Sequence, residues 1–468
     1  MKNIKFKMGL ASALVIAVVL SCVILINAIV SVISDKATLT IDLTRDKVYE
    51  FSEQTKDVMK NLDEEIIAYA LIPDGVQGER VDYINEYLNK YKALSKNFKV
   101  EYIDPYSNPA FMQKYNDGTT QASDGSVIIE CGENYKIITI DQIYNNGLDN
   151  SVQIDMERKV TNAVMNVTGQ AAEAKIYYIS GHNEIASQNL DAALKEEGYS
   201  TETINISIDK IPEDADIIYC LAPMEDFTAE EIETLDSFLD NGGKLILAVS
   251  PGMAALPRID SYLDEWGITL NYDFVVETDP SRALGNGNGM PIPIPALSEH
   301  AITRKIMQAD SPLLMPVSMS ITLKDSDNSA QPSPLLETSE FSYGKTDLDS
   351  ASIEKTDEDI SGPLTLAAIS EKQGDKASSV TVIGSVYALE MQDILTEGAY
   401  LNGDFVFNLM NYLSGADSGS AIRAKKISAE LMNMTEESIN LVSTLLLYVL
   451  PALILIIGLV VWLKRRYK

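Results

Sequence analysis

The chain is poor in the residues that most often carry chemistry, with only three cysteines, two histidines and two tryptophans in 468 residues. Cysteines at 22, 131 and 220 are neither the even, dense set that staples an exterior domain nor a CxxC pair for a thiolate metal site. His182 and His300 form no HExxH and no i, i+4 pair, so a helical metal site is excluded. No GxxxxGK[ST] loop is present, which leaves no recognised route to nucleotide hydrolysis. Positive charge is scarce as well, with 37 Lys and Arg against 68 Asp and Glu and a formal net charge of −31. A surface of that sign repels phosphate backbones and anionic headgroups, which excludes nucleic acid as a partner.

What the chain has is two uncharged apolar runs, Met8 to Ile33 and Leu441 to Leu463. Each exceeds the roughly 20 residues that an α-helix needs to cross about 30 Å of hydrocarbon. Lys2, Lys5 and Lys7 precede the first, and Lys464, Arg465, Arg466 and Lys468 follow the second. Basic flanks stay on the cytoplasmic side, so the expectation is a two-pass protein of the plasma (inner) membrane with both termini cytoplasmic and its bulk outside. Val19 to Cys22 loosely resembles a lipoprotein cleavage box, but the apolar run continues to Ile33, which suits an uncleaved anchor.

About 400 residues between the runs exceed what one hydrophobic core organises. Ile66 to Ile72 reads as a buried strand, Arg80 to Leu94 as an amphipathic helix, and Phe98 to Ile103 as a second strand. Val127 to Glu130 and Tyr135 to Ile140 alternate around a turn at Gly132 to Asn134 and read as a hairpin. Strand, helix, strand, hairpin is the order of a thioredoxin-like α/β unit without its redox CxxC, assigned to 34–154, after the basic tail 1–7 and the anchor 8–33. A connecting helix is expected over 155–174.

A second alternation then begins. Strands are expected at Lys175 to Ile179, Glu202 to Ile206, Ile217 to Leu221 and Lys244 to Val249, with helices at Glu184 to Glu197 and Thr228 to Leu239. Buried runs separated by helices imply a parallel sheet covered on both faces. Thr228 with Glu231 reads as a capping box and Gly242-Gly243 as a left-handed helix stop. Val380 to Gly384 and Asp404 to Leu413 read as a further strand and helix of the same layer, so the domain spans 175–420. Its segments 279–295, with GNGNGMPIPIP, and 324–363, rich in Asp, Ser, Thr and Glu, read as loops that bury little; the glycine run lacks the Lys and helix of a phosphate cradle. A juxtamembrane helix is expected over 421–440, then the second anchor 441–463 and the tail 464–468.

The order of motifs resembles the gliding-motility-type auxiliary proteins of ABC transport systems. The likeness rests on Asp42-Leu43-Thr44, Tyr49 to Thr55 (YEFSEQT), Leu62 to Glu65, Ile179 to Glu184 (ISGHNE), Asp214 to Pro223, Glu230-Glu231, Gly242-Gly243, Ser298 to Thr303 (SEHAIT), Leu335 to Glu340 (LLETSE) and Asn402 to Phe405 (NGDF). Glu65, Asn183 and Ala301 stand where that family often has proline, glycine and proline. The resemblance implies a glutamine-amidotransferase-like exterior α/β domain beside an ABC permease and ATPase, without catalysis or cofactor, in contact with substrate or with an exterior envelope protein or polymer.

In that fold the nucleophile sits on a turn after a strand, and the matching place here is Ala248 to Gly252, with Ser250 at the elbow. Parallel sheets gather strand ends along one edge, so Gly181, His182, Asn183 and Glu184 and, across from them, Ser250, Pro251 and Gly252 are the candidates for a shared crevice. Pro251 has no N–H for an oxyanion hole and Ala248 replaces the elbow glycine, which argues against a membrane-tethered hydrolase built on Ser250. A stand-alone extracellular binding receptor is the other alternative, and Asn183 or Glu184 satisfying a helix start beside a packed His182 is the plain structural reading.

Overall fold

The computed structural model describes residues 48–115, 121–146, 152–170, 174–285, 290–307, 309, 311–326, 328–350, 352–374, 376–395, 400–415, 422, 425–427, 458 and 462. Residues up to Lys426 cluster as one compact unit and Ile427–Lys468 as another. Apart from Gly458 and Trp462, both apolar runs lie outside the described residues. Among the described residues no helix is long and apolar enough to cross a membrane.

The chain first forms α1 (Glu53–Lys60), β1 (Ile66–Leu71), α2 (Glu79–Leu94), β2 (Phe98–Ile103), β3 (Val127–Cys131) and β4 (Asn134–Ile138). The sheet order is β2-β1-β3-β4, with β1 and β2 parallel and the β3–β4 hairpin antiparallel to β1. Helix α2 covers it because Ile84, Tyr87, Leu88 and Tyr91 recur at helical spacing and are all buried. Strands β1 to β4 and helix α2 follow the sequence expectation in kind, order and boundaries to within a residue or two, while α1 is an addition to it.

Next comes α3 (Met156–Val167), which buries Met156, Val160, Val164 and Val167 along one stripe. It leads to β5 (Lys175–Ser180), α4 (Gln188–Glu196), β6 (Ser200–Asn205), β7 (Ile217–Leu221), α5 (Ala229–Asp240) and β8 (Lys244–Ala248). After α6 (Pro257–Glu265) follow β9 (Ile268–Leu270), β10 (Ile321–Leu323), β11 (Gln331–Glu337), β12 (Thr365–Lys372), β13 (Ser378–Ile383) and α7 (Asn402–Leu413).

The larger sheet runs β9-β10-β12-β13-β8-β7-β5-β6, with β11 pairing β12 off that path. Strands β6, β5, β7, β8 and β13 are mutually parallel. In chain order they stand 2-1-3-4-5, a doubly wound arrangement whose switch point falls between β5 and β7. Strands β7 and β13 are buried at every position, as parallel strands covered on both faces must be. Beyond β13 the sheet turns antiparallel, because β12 returns directly beside it. The molecule is a mixed α/β protein, and the expected parallel layer is one side of that sheet, from β13 to the edge strand β6.

Four segments differ from expectation. The helix expected from Glu184 starts at Gln188 instead, since Asn183 takes a left-handed φ of 56° and Glu184 turns back to bond the His182 backbone. The polar segment 324–363 is not a bare loop: β11 lies along β12 with Leu335 and Leu336 fully buried, and Lys345 pairs with buried Asp359 at 3.2 Å. Within 279–295, Ala283–Leu284 pairs with Ile292–Pro293 as a hairpin whose stem Arg282 secures through Ile294 O. In these last two, paired backbone satisfies polar groups that composition alone assigns to solvent. The strand Lys425–Ile427 stands within 421–440, where a juxtamembrane helix is expected.

Candidate functional site

The carboxyl ends of β5, β7 and β8 form the edge where a ligand is held in such a sheet. Strand β5 runs out at Ser180, and Gly181 with φ 119° lets the chain turn sharply. A Cβ at Gly181 would stand 3.0 Å from Asn205 Oδ1 at the end of β6. The turn drops His182 into the interior, where it is 3% exposed. Its carbonyl accepts from the N–H groups of Met224 and Glu225 at 2.8 and 3.1 Å, so the turns after β5 and β7 are stitched together.

Both ring nitrogens of His182 face carboxylates. Nδ1 lies 3.0 Å from Glu184 Oε1 and Nε2 lies 3.2 Å from Glu231 Oε2, while the ring lies against Phe227. Glu231 accepts from Thr228 N at 2.7 Å and from the Ser207 hydroxyl, and Thr228 Oγ1 accepts from Glu231 N, which is the expected capping box of α5. Asn183 reaches out instead, donating to Glu225 Oε1 at 2.6 Å.

Burial opposes charge on His182, but the hydrogen bonds and charges of Glu184 and Glu231 outweigh it and raise its pKa. Burial likewise pushes Glu231 up, yet the Ser207 hydroxyl, the Thr228 N–H and His182 bring it down to about 2. Glu184 is lowered in the same way, its burial outweighed first by the bond to His182. An imidazolium with both N–H groups donated has no lone pair for a nucleophile's proton. The arrangement is a latch that joins the turns after β5, β6 and β7.

Ser250 is 8% exposed, and its N–H is directed at Met253 Sδ at 3.2 Å. Pro251 and Gly252 follow, the latter with φ 83°. Strand β7 separates β8 from β5, and two strand spacings amount to roughly 10 Å. Among the described residues no hydrogen bond joins Ser250 to His182. The two candidate groups therefore occupy one edge without forming a nucleophile and base pair. His300 lies elsewhere, starting the short helix Ala301–Arg304 and standing 3.6 Å from Glu371.

A cavity of about 460 Å³ opens beneath α4, lined by Tyr178, Glu184, Ser187, Asp191, Thr203 and Tyr219 among others. Tyr178 and Tyr219 stand opposite one another on β5 and β7, ring centroids 5.7 Å apart. At the start of α4 no side chain of its own caps the helix; Glu390 does so from a distance, accepting from Asn189 N at 3.2 Å and from Ser187 Oγ at 2.7 Å. Ser207, Phe227, Glu231 and Glu390 belong to this edge and were not singled out as site residues in the sequence. Only Glu231 carried a usable signal, its place in the capping box; Glu390 is some 200 residues from the helix it serves. Among the described residues no cluster of His, Cys, Asp and Glu is arranged to hold a metal ion.

The model of a family described as an ABC-type uncharacterized transport system, an auxiliary component, matches residues 173–408, half of the chain. The chain belongs to this family. A domain of unknown function (DUF7088) matches residues 45–143, so the two matches fall on the two successive α/β parts. No curated protein matches. Similar solved structures include the mmIFT52 N-terminal domain, at 18% identity over 52% of this chain and 99% of that one with a TM-score of 0.39. PurLQS from Thermotoga maritima is similar at 9% identity over 52% and 99%, TM-score 0.26, and a β-galactosidase from Rahnella sp. R3 at 15% over 56% and 35%, TM-score 0.27. At such TM-scores these likenesses carry no weight for function. Family membership makes this an auxiliary protein of ABC transport.

Proposed function

We propose that the chain is a membrane-anchored, non-catalytic accessory subunit of an ABC-type transport system, of the gliding-motility type. Its body carries a thioredoxin-like unit followed by an amidotransferase-like unit outside the plasma (inner) membrane, and it works beside a separate permease and ATPase. The observation that carries this reading is the family match over residues 173–408. Two further features support it: the basic-flanked apolar runs at 8–33 and 441–463, and the lack of any nucleotide-hydrolysing loop in the chain itself. Energy then has to come from a partner.

The exterior body contacts the permease, the substrate or an envelope protein or polymer. A non-catalytic role is supported by the engaged ring of His182 and by its separation from Ser250. The deciding experiment is a mild-detergent pull-down of the full-length chain from its native membrane with mass spectrometry. Recovery of an ABC ATPase and a polytopic permease is the expected outcome. Recovery of the chain alone, under conditions that keep other membrane complexes intact, overturns the accessory role.

A further inference from the structure

The first and last described stretches of the folded unit meet at one buried carboxylate. Glu157, in the first turn of α3, is 2% exposed. Its Oε1 accepts from Ser52 N at 2.6 Å and from Thr55 Oγ1 at 2.9 Å, both at the start of α1. Its Oε2 lies 2.7 Å from Lys425 Nζ as an ion pair without hydrogen-bond alignment, while that ammonium donates to Glu50 O. One carboxylate thus holds the segment that follows the first apolar run and the segment that precedes the second.

The incoming segment is fastened along its length. Tyr87 Oη donates to Val48 O, Lys90 Nζ to Tyr49 O at 2.7 Å, and Phe51 packs on Tyr87 and Tyr91. Thr55 and Thr161 hydroxyls lie 3.0 Å apart, and Tyr91 Oη bonds both Thr161 Oγ1 and Glu157 O. The outgoing segment has a different footing: Lys425 opens a short strand in a sheet with Val152–Ile154 and Tyr144–Asn146. Lys425 ties the two together, through its ionic contact to Glu157 and its bond to Glu50 O.

The next two residues of α3 connect this point to the larger sheet. Arg158 bonds Asp155 twice, at 2.9 and 3.0 Å through Nε, and reaches Glu197 Oε1 at 3.3 Å. Lys159 pairs with Glu196 at 2.6 Å. Both glutamates lie at the end of α4, so one helical turn joins these two segments on one side and the doubly wound sheet on the other.

We propose that Glu157 and Lys425 form a clasp that fixes the two membrane-proximal ends of the exterior body to each other and to α3, so that neither end can shift without the other. A charge pair suits this task better than an apolar contact, because a buried carboxylate stripped of its ammonium is costly and the joint is held to a single geometry. Its role in transport rests on the reading that both ends are membrane-anchored; the clasp itself does not.

The test is amide hydrogen exchange on the full-length chain in detergent, comparing the native protein with Glu157→Gln, Lys425→Met and the double variant. Breaking the pair should speed exchange at least about tenfold in both 48–55 and 422–427 whichever partner is replaced, and the double variant should add nothing. Lys99→Met, which breaks the exposed pair with Glu65, serves as control and should move neither segment. Loosening of one segment only, or additive effects in the double variant, overturns the proposal. Should Glu157→Gln not fold, Lys425→Met decides alone, by whether exchange quickens at Ser52 to Thr55, which Glu157 holds, and not only at Glu50, which loses its own bond to Lys425. An intact clasp in a chain that recovers no ABC partner refutes the accessory reading and leaves this inference standing.

Discussion

His182 lies flat on Phe227, with ring centroids 4.1 Å and planes 18° apart, and each of its nitrogens meets a carboxylate. The raised pKa of this histidine makes stability depend on pH in a definite direction. Its contribution is complete below the ordinary histidine value of about 6.5 and is lost as pH rises through the higher folded value. The lowered carboxylates act oppositely: the contribution of Glu231 is present above about 4.5 and fades as pH falls toward about 2. Urea denaturation from pH 4 to 9 should therefore show a plateau and an alkaline decline. His182→Gln should cost about 3 kcal/mol on the plateau and abolish that decline. A decline of equal size in the variant removes His182 as its source.

Glu231 serves two ends at once, closing the capping box with Thr228 and holding His182. Thr228→Ala removes only the cap and should cost about 1 kcal/mol. Glu231→Gln keeps the size but leaves the imidazolium short of a counter-charge, and should cost about 3 kcal/mol. Equal losses in denaturant titrations would mean that the histidine contact contributes nothing beyond the helix cap.

Arg158 joins α3 to α4 from a largely buried position, and its guanidinium also lies over the Phe407 ring at 5.7 Å. Burial works against its charge, and Asp155 and Glu197 more than compensate. Arg158→Ala should destabilise by about 3–5 kcal/mol, since Asp155 would be left with no charge partner. Arg158→Lys should recover less than half, because a point ammonium cannot bond Asp155 through a fork and reach Glu197 together. Full recovery by lysine in thermal melts contradicts the bidentate account.

How much of this was legible in the sequence follows the range of the forces. Periodicity fixed α2, whose four buried residues are all within one helix, and β7, a continuous apolar run. The capping box at Thr228 and Glu231 is local and was readable. Gly242-Gly243 reads as a helix stop, and the two glycines serve it differently: Gly242 takes the left-handed φ of 92°, while a Cβ on Gly243 would meet the Phe238 ring of the same helix end at 2.3 Å. Strand β11 was missed because its polar, proline-bearing sequence is held by β12, a partner no local pattern names. At the site the turn at Gly181 and His182 was found, but not that Glu231 and Ser207 close on it from other strands' ends. Glu157 was invisible for the same reason: its partners lie over a hundred residues before it and more than 250 after it in the chain.

Ser250 decides between the accessory reading and a hydrolase. Its elbow includes Pro251, which offers no N–H, and the imidazole of His182 is two strands away with both nitrogens facing carboxylates. Ser250→Ala should therefore change stability by no more than about 1 kcal/mol and leave co-purification with ABC components unchanged. Release of chromophore from simple activated esters by the full-length chain should be the same with and without the Ser250 hydroxyl. A loss of ester cleavage confined to Ser250→Ala, and absent from His300→Gln, would require the latch at His182 to open and free a ring nitrogen. In that case hydrolysis should fall below the folded pKa of His182 and grow above it, because only the neutral imidazole accepts a proton. A rate that is flat in pH and indifferent to Ser250 fits the closed latch.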